Sequence, residues 1–293
     1  MAEWDVVVIG GGAAGLSAAA TVAARGLRCL VIDRMGGGGE LMNLGTLHDM
    51  DEALTGPDLA ARLLEDATNA GAELGIAEVS GLRRDGDRWR VVTDDEPHIA
   101  RTVILAVGLA PGTLGLDNEA AFEGRGLSHC AACDGPLYAG QSVVVAGADR
   151  WAQLEASELV GTASDVTLVT QGQAAPQLEG VLVRTGRVTR LHGDNGLESV
   201  TISDEQGAAP LPAYAIFIQT GRRPSLGFVP EDLACDDAGR IVTDPALTTN
   251  LPELYAVGDA RSGSPRTIAA AIADGQHAAA SSPLPSPLGK PPE

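Results

Sequence analysis

Apolar positions along the chain fall into short unbroken runs separated by stretches with helical spacing, an alternation that predicts parallel strands connected by helices. Residues 5–9 (DVVVI) form the first such run, continuous rather than alternating, as a strand buried on both faces requires. An alanine-rich segment with helical spacing follows, then a second apolar run at 29–32. Helical spacing returns over 57–70, and strands are predicted at 73–79, 89–93 and 99–107. Glycine and proline gather at 111–116, where the chain is expected to cross between domains. Beyond that point the pattern starts again, with a strand at 142–145, a helix from near residue 153, strands at 166–169, 214–220 and 254–257, and a helix over 267–280. The tail from about residue 281 is proline-containing and expected to be disordered. The fold class read from this pattern is α/β, with two Rossmann-like three-layer dinucleotide-binding units.

The junctions between runs carry the first chemistry. After residue 9 come Gly10, Gly11, Gly12, Ala13, Ala14 and Gly15, the GxGxxG fingerprint in its strand-to-helix context. Gly10 permits the tight turn, Gly12 lets the backbone approach a pyrophosphate, and Gly15 lets the helix pack close to the strand. Asp33, about 20 residues on, ends the second run where a carboxylate can accept hydrogen bonds from a ribose. Residues 36–40 (GGGGE) supply a flexible backbone able to lie against a flat cofactor. The strand at 142–145 opens a second unit of the same design, but Ala146, Ala148 and Trp151 stand where the fingerprint wants glycines. A methyl group at Ala148 is expected to intrude on a pyrophosphate, and the Trp151 indole to obstruct helix packing or fill the nucleotide cleft. The next strand ends in Thr170, Gln171 and Gly172, with neither a ribose acid nor a basic cluster; Arg150 holding a phosphate from another side is the counter-reading.

Composition narrows the partners. The 293 residues suffice for about two domains, and a formal charge of −19 disfavours nucleic acid and anionic membranes. No apolar run approaches membrane-spanning length and the start of the chain lacks a basic, cleavable leader, so the expected location is cytoplasmic.

One hexapeptide, Cys130-Ala131-Ala132-Cys133-Asp134-Gly135, stands out against this background. Two cysteines separated by two residues can close an easily reduced disulphide, and an acidic neighbour can carry the proton that each thiolate needs. In a reducing compartment such a pair reads as catalytic rather than as a staple. Zinc would need two further ligands, and the other cysteines, Cys29 and Cys235, are isolated in sequence, so no metal site is expected. An inert pair of loop thiols is the remaining alternative. Cys29 reads as a core residue of its strand, Cys235 as a turn residue without a redox role, and Arg222 and Arg223 as solvated turn charges.

The segments VVVIGGGAAGLSAA, GGGGEL, GRGLSHCAACDGPL and LYAVGDARSGSPRTIAAAIADG together make the chain resemble the low-molecular-weight thioredoxin reductase family over nearly its whole length. The resemblance implies FAD in a domain built from both chain ends, an NAD(P)H-binding-like domain inserted into it and carrying the disulphide, and a homodimer; the expected boundaries are then 1–113 with 243–293 for the first domain and 114–242 for the insert. Carried over residue by residue, it assigns FAD contacts to Gly10, Gly12, Ala13, Ala14, Gly15, Asp33, Arg34, Gly39, Glu40 and Leu41. It assigns further contacts to Val79, Ala106, Val107, Gly108, Gly258, Asp259, Arg266, Thr267 and Ile268. It makes Cys133 the sulphur facing the flavin, Cys130 the exchanging thiol and Asp134 the acid/base, and a cationic His129 would lower the Cys130 pKa.

The chain also departs from that family. Glu40 and Thr267 replace glutamines, and the stretch after Leu41, with Asn43, His48 and Asp49, lacks an asparagine-aromatic-proline-glycine signature. The altered second fingerprint argues against efficient NADPH use, and members of the family that do without NADPH are known as a type. The expected activity is electron exchange between FAD and a thiol or disulphide substrate, a thioredoxin-like protein or a small dithiol, in either direction. An ordinary NADPH-dependent thioredoxin reductase and a non-catalytic FAD-binding redox sensor are the alternatives.

Overall fold

A computed structural model describes residues 3–44, 47 and 54–281; His48, Asp49 and the tail from 282 lie outside the described residues. Among the described residues five helices occur in chain order: α1 (Ala13–Ala24), α2 (Gly56–Asn69), α3 (Ala131–Asp134), α4 (Arg150–Leu159) and α5 (Ile268–Ser281). The chain divides into two compact units, Met1–Leu109 with Arg223–Glu293, and Ala110–Arg222. No helix among the described residues is long and apolar enough to cross a membrane.

In the first unit the continuous apolar run becomes the strand Glu3–Ile9, paired in parallel with Cys29–Asp33 on one side and His98–Leu105 on the other. Its alternate residues feed two cores. Val6 and Val8 pack under α1, α2 and α5, while Trp4, Val7 and Ile9 pack with Trp89, Val91 and Leu254 on the opposite face. The sheet is extended by Glu73–Ile76 at one edge and by the antiparallel strands Arg88–Thr93 and Val79–Asp85 at the other, and Leu254–Ala256 pairs in parallel with His98–Leu105. The single strand expected over 73–79 is thus a short parallel edge strand followed by the start of a hairpin. Cys29 is buried and its thiol is pushed up to about 12 by desolvation, which keeps it an inert core residue.

Helices α1 and α5 touch closely. A Cβ at Gly275 would collide with the Ala14 carbonyl oxygen. Gly275→Ala is therefore expected to destabilise the protein by about 1–3 kcal/mol, read as a lower midpoint in urea unfolding.

The return crossing lies twenty residues earlier than the resemblance implies. Residues 223–242, expected in the insert, belong to the first unit. The cause is packing: Leu226, Phe228, Val229 and Leu233 join the core around Trp4 and Trp89, the Leu82 amide donates to Phe228 O at 2.7 Å, and the Ile241 amide donates to Ala260 O at 2.9 Å. Cys235, within this stretch, is exposed, and partial burial and Asp236 raise its pKa.

The second unit holds five parallel strands in the spatial order Val181–Arg184, Asp165–Val169, Ser142–Ala146, Ala215–Ile218, Leu127–Ser128. A three-stranded antiparallel sheet of Arg187–His192, Ser199–Asp204 and Gly207–Pro212 covers one face through Val188, Leu191, Val200 and Ile202. The sequence pattern did not disclose that layer, although 199–204 alternates polar and apolar residues before the Gln206-Gly207 turn.

Hydrogen bonding fixes the register of the second fingerprint and corrects the expected one. In the first unit, Gly10 N donates to Ile32 O at 2.9 Å and Ala106 N to Ile9 O at 2.8 Å; in the second, Gly147 N donates to Val169 O at 2.9 Å and Gln219 N to Ala146 O at 2.8 Å. Gly147 therefore corresponds to Gly10, Asp149 to Gly12 and Ala152 to Gly15. The six positions read Gly147, Ala148, Asp149, Arg150, Trp151, Ala152, one residue later than the pattern starting at Ala146. Gly147 is the close-approach glycine, since a Cβ there would collide with Gln219 O. Ala152, wholly buried, packs the helix against the sheet, while Trp151 is 67% exposed and obstructs nothing in that contact. The helix begins at Arg150 rather than near 153 because the Asp149 carboxylate caps it, accepting from Ala152 N at 2.9 Å.

Candidate active site

Within the first unit, the parallel strands Glu3–Ile9, Cys29–Asp33, His98–Leu105 and Leu254–Ala256 end at one edge, and most of the residues expected to hold FAD lie just beyond those ends. Several are in mutual contact. A Cβ at Gly10, where φ is +103°, would collide with Ala106 O; one at Gly15 would collide with Gly10 O; one at Gly39 would lie 3.3 Å from Gly12 Cα; and one at Gly258 would lie 3.0 Å from Ala14 Cβ. Gly12 and Gly108 differ: a Cβ there would meet nothing within 4 Å. Gly12 also caps α1 without any side-chain hydrogen bond, so the first amides of that helix face open space.

Asp33 is engaged by backbone. Its carboxylate accepts from Gly11 N at 2.7 Å, Met35 N at 2.8 Å and Gly37 N at 3.1 Å, which folds the glycine stretch back onto the fingerprint loop. Glu40 and Leu41 follow in the short helical turn Gly39–Asn43, with Leu41 buried and Glu40 exposed. Val79 opens its strand, and Arg34 and Arg266 are exposed. Gly258 N donates to the Asp274 carboxylate at 3.0 Å, which also forms a two-pronged pair with Arg261 at 2.6 and 2.9 Å and so fixes the turn carrying Asp259. The Thr267 hydroxyl accepts from Ala270 N at 3.2 Å and so caps α5, at a position where a glutamine is usual in the resembled family. Ile268 packs against the α1 core.

In the second unit, Cys130 and Cys133 form a disulphide with Cα atoms 5.3 Å apart. Cys130 is the N-cap of the short helix α3, its sulphur accepting from Cys133 N at 3.2 Å; it is half-buried and Cys133 exposed. Asp134 accepts from Ser128 Oγ at 2.7 Å, and the same hydroxyl accepts from Cys130 N at 3.1 Å, so one serine ties the expected acid/base to the backbone of the first cysteine. The His129 ring lies with Nε2 3.5 Å from Glu123, while its buried Nδ1 has no partner.

Three residues that the sequence pattern did not single out complete this site: Ser128, Glu155 and Gln219. Glu155 on α4 accepts from Ala131 N at 2.7 Å, and Gln219 Nε2 donates to His129 O at 2.8 Å. Burial raises the Glu155 pKa against the opposing effects of the Ala131 amide and Gln219. A carboxyl group whose folded pKa is raised stabilises the fold below its ordinary value, and that contribution is lost as pH rises through the raised value. Urea midpoints of the oxidised wild type are thus expected to fall over that interval, and Glu155→Gln to flatten the decline. Among the described residues no group of three or more histidine, cysteine or acidic side chains is placed to hold a metal.

A family model for pyridine nucleotide-disulphide oxidoreductases matches residues 4–275, both units together. The chain belongs to that family. Within it, this pyridine nucleotide-disulphide oxidoreductase is of the low-molecular-weight thioredoxin reductase type. It is 30% identical over 298 aligned positions to the thioredoxin reductase of Treponema pallidum, covering 95% of this chain and 97% of that protein. Its fold is similar to the crystal structure of Lactococcus lactis thioredoxin reductase, with a TM-score of 0.78, 29% identity, and coverage of 95% and 97% of the two chains. It is also similar to a ferredoxin-flavin thioredoxin reductase from Clostridium acetobutylicum, with a TM-score of 0.56, 26% identity and coverage of 96% and 97%. Like its family, the chain is an FAD-dependent disulphide oxidoreductase.

Proposed function

We propose that this oxidoreductase passes electron pairs between FAD and a substrate dithiol or disulphide through Cys130 and Cys133, as a cytoplasmic homodimer acting on a thioredoxin-like protein or a small dithiol, without NADPH as an efficient donor. The observation that carries the reading is the closed Cys130–Cys133 pair with its Ser128–Asp134 bridge. The residues of the first unit fit FAD: a pyrophosphate suits the open space over Gly12 and the uncapped amides of α1, with Gly108 leaving room beside it. Gly10, Ala13, Ala14, Gly15, Asp33, Arg34, Gly39, Glu40, Leu41, Val79, Ala106, Val107, Gly258, Asp259, Arg266, Thr267 and Ile268 complete the proposed contacts. Bound there, FAD supplies a two-electron store, which neither cysteine can provide alone.

The thiol chemistry balances on the chain's own atoms. In the reducing direction, the Cys130 thiolate attacks a substrate disulphide and forms a mixed disulphide, releasing one substrate thiolate. Cys133, deprotonated, then attacks Cys130 Sγ, restoring the internal disulphide and freeing the second substrate sulphur. The two protons delivered to the substrate come from the two enzyme thiols, and Asp134, held by Ser128, is the carboxylate proposed to move them. Run backwards, the same steps oxidise a substrate dithiol. The name of the Clostridium acetobutylicum neighbour, a ferredoxin-flavin thioredoxin reductase, supports a donor other than a nicotinamide.

An anaerobic titration of the FAD-loaded protein tests the reading. Flavin absorbance is expected to bleach with a stoichiometric small dithiol and to stay unchanged for minutes with NADPH or NADH. Rapid bleaching by NADPH would instead make the chain an ordinary NADPH-dependent thioredoxin reductase.

A further inference from the structure

The two units contain the same strand-turn-helix element, and the backbone at its central position is nearly the same. Gly12 caps α1 with φ −77° and ψ −171°; Asp149 caps α4 with φ −72° and ψ 176°. Only the side chain differs. At Gly12 the space beyond the Cα is open. At Asp149 a carboxylate accepts from Ala152 N at 2.9 Å, the kind of helix-start amide that a dinucleotide pyrophosphate takes.

We infer that Asp149 is the specificity-determining residue that closes the second unit to nicotinamide dinucleotides: its carboxylate serves as the unit's own anion at the helix start. This rests on the proposed NADPH-independent function and names the residue responsible. The effect is twofold. The side chain consumes an amide that the pyrophosphate would use, and its negative charge opposes a second anion at the same end of the helix dipole. The end of the neighbouring strand adds no compensating attraction to a ribose. Thr170 occupies the position equivalent to Asp33, wholly buried, with its hydroxyl lacking a partner. The other fingerprint positions are not the obstacle, since Gly147 keeps its close approach and Ala152 its packing.

The substitution that tests this leaves the fold alone. Asp149→Gly reproduces the residue that already occupies this backbone geometry at Gly12, and Asp149→Asn keeps a capping side chain while removing its charge. In FAD-loaded protein, whose first fingerprint is filled, titration calorimetry with ADP and NADPH measures the anion affinity of the second. Fluorescence of Trp151 offers an independent readout, because Trp151 is 67% exposed in the first turn of α4 while Trp4 and Trp89 are buried. The expected result is no binding by the wild type at millimolar ligand and at least about tenfold tighter ADP binding by Asp149→Gly. If neither variant gains affinity while the wild type still binds nothing, the assignment to Asp149 is overturned and the NADPH-independent reading stands. Micromolar NADPH binding by the wild type would overturn both.

Discussion

Cys130→Ser is expected to lower turnover of a disulphide substrate by at least about a thousandfold with flavin content and fold unchanged. The serine hydroxyl can take over the capping bond that Cys130 Sγ accepts from Cys133 N, since serine is among the preferred helix caps. It cannot form a mixed disulphide, so the first covalent step is lost. Cys133→Ser should fail differently. Cys130 can still attack, but nothing resolves the product, and a substrate carrying a disulphide should remain attached to the enzyme one-to-one. Steady-state assays with a small disulphide and intact-mass measurement separate the two outcomes; full turnover by Cys130→Ser would remove that thiol from the mechanism.

Gly12→Asp is expected to weaken FAD binding by about a hundredfold or more, while the apoprotein stays folded. The open space around Gly12 and its negative φ admit a side chain without collision. Its carboxylate would then cap α1 as Asp149 caps α4, putting a fixed anion where the pyrophosphate is proposed to lie. The flavin-to-protein absorbance ratio of the purified variant, together with its far-ultraviolet circular dichroism, measures both halves of the statement. A normal flavin complement would show that the α1 start does not hold the pyrophosphate. Glycine at position 15 behaves oppositely: a Cβ there collides with Gly10 O, so its replacement is a packing defect before it is a binding defect.

The contrast between these two fingerprints also marks how far the sequence could be read. The first was legible because strand, three glycines, helix and terminal acid are all local, and each has one steric reason. The second reads one residue early because the run VVVAGA leaves the end of the strand undefined by residue type. Only the amides of Gly147 and Gln219 settle it, and the partner of the first lies on a neighbouring strand. Residues 223–242, expected in the insert, belong to the first unit for a similar reason: little regular structure marks them, and what places them is distant contact with Trp4, Leu82 and Trp89. The CAACDG motif announced the cysteines and Asp134, all within five residues. Ser128 lies just outside that motif, and Glu155 and Gln219 reach the site through folding alone, from a helix and a strand end with no motif of their own.

The discontinuity of the first unit has a consequence for biosynthesis. Its sheet is completed by Leu254–Ala256 beside His98–Leu105, and α5 packs on α1, so residues from both parts of the unit must meet before the turn at Gly258, proposed to hold the flavin, exists. The unit carrying Cys130 and Cys133 is encoded in one piece, Ala110–Arg222. It can fold on the ribosome while the first unit waits between its two parts, for about 6–23 s at ordinary elongation rates. During that time the edge at Val103, Ile104 and Leu105, which Leu254–Ala256 later covers, is open to mispairing. The redox pair is thus made before its electron store can be loaded, and flavin capture is expected only once both parts of the first unit have been synthesised.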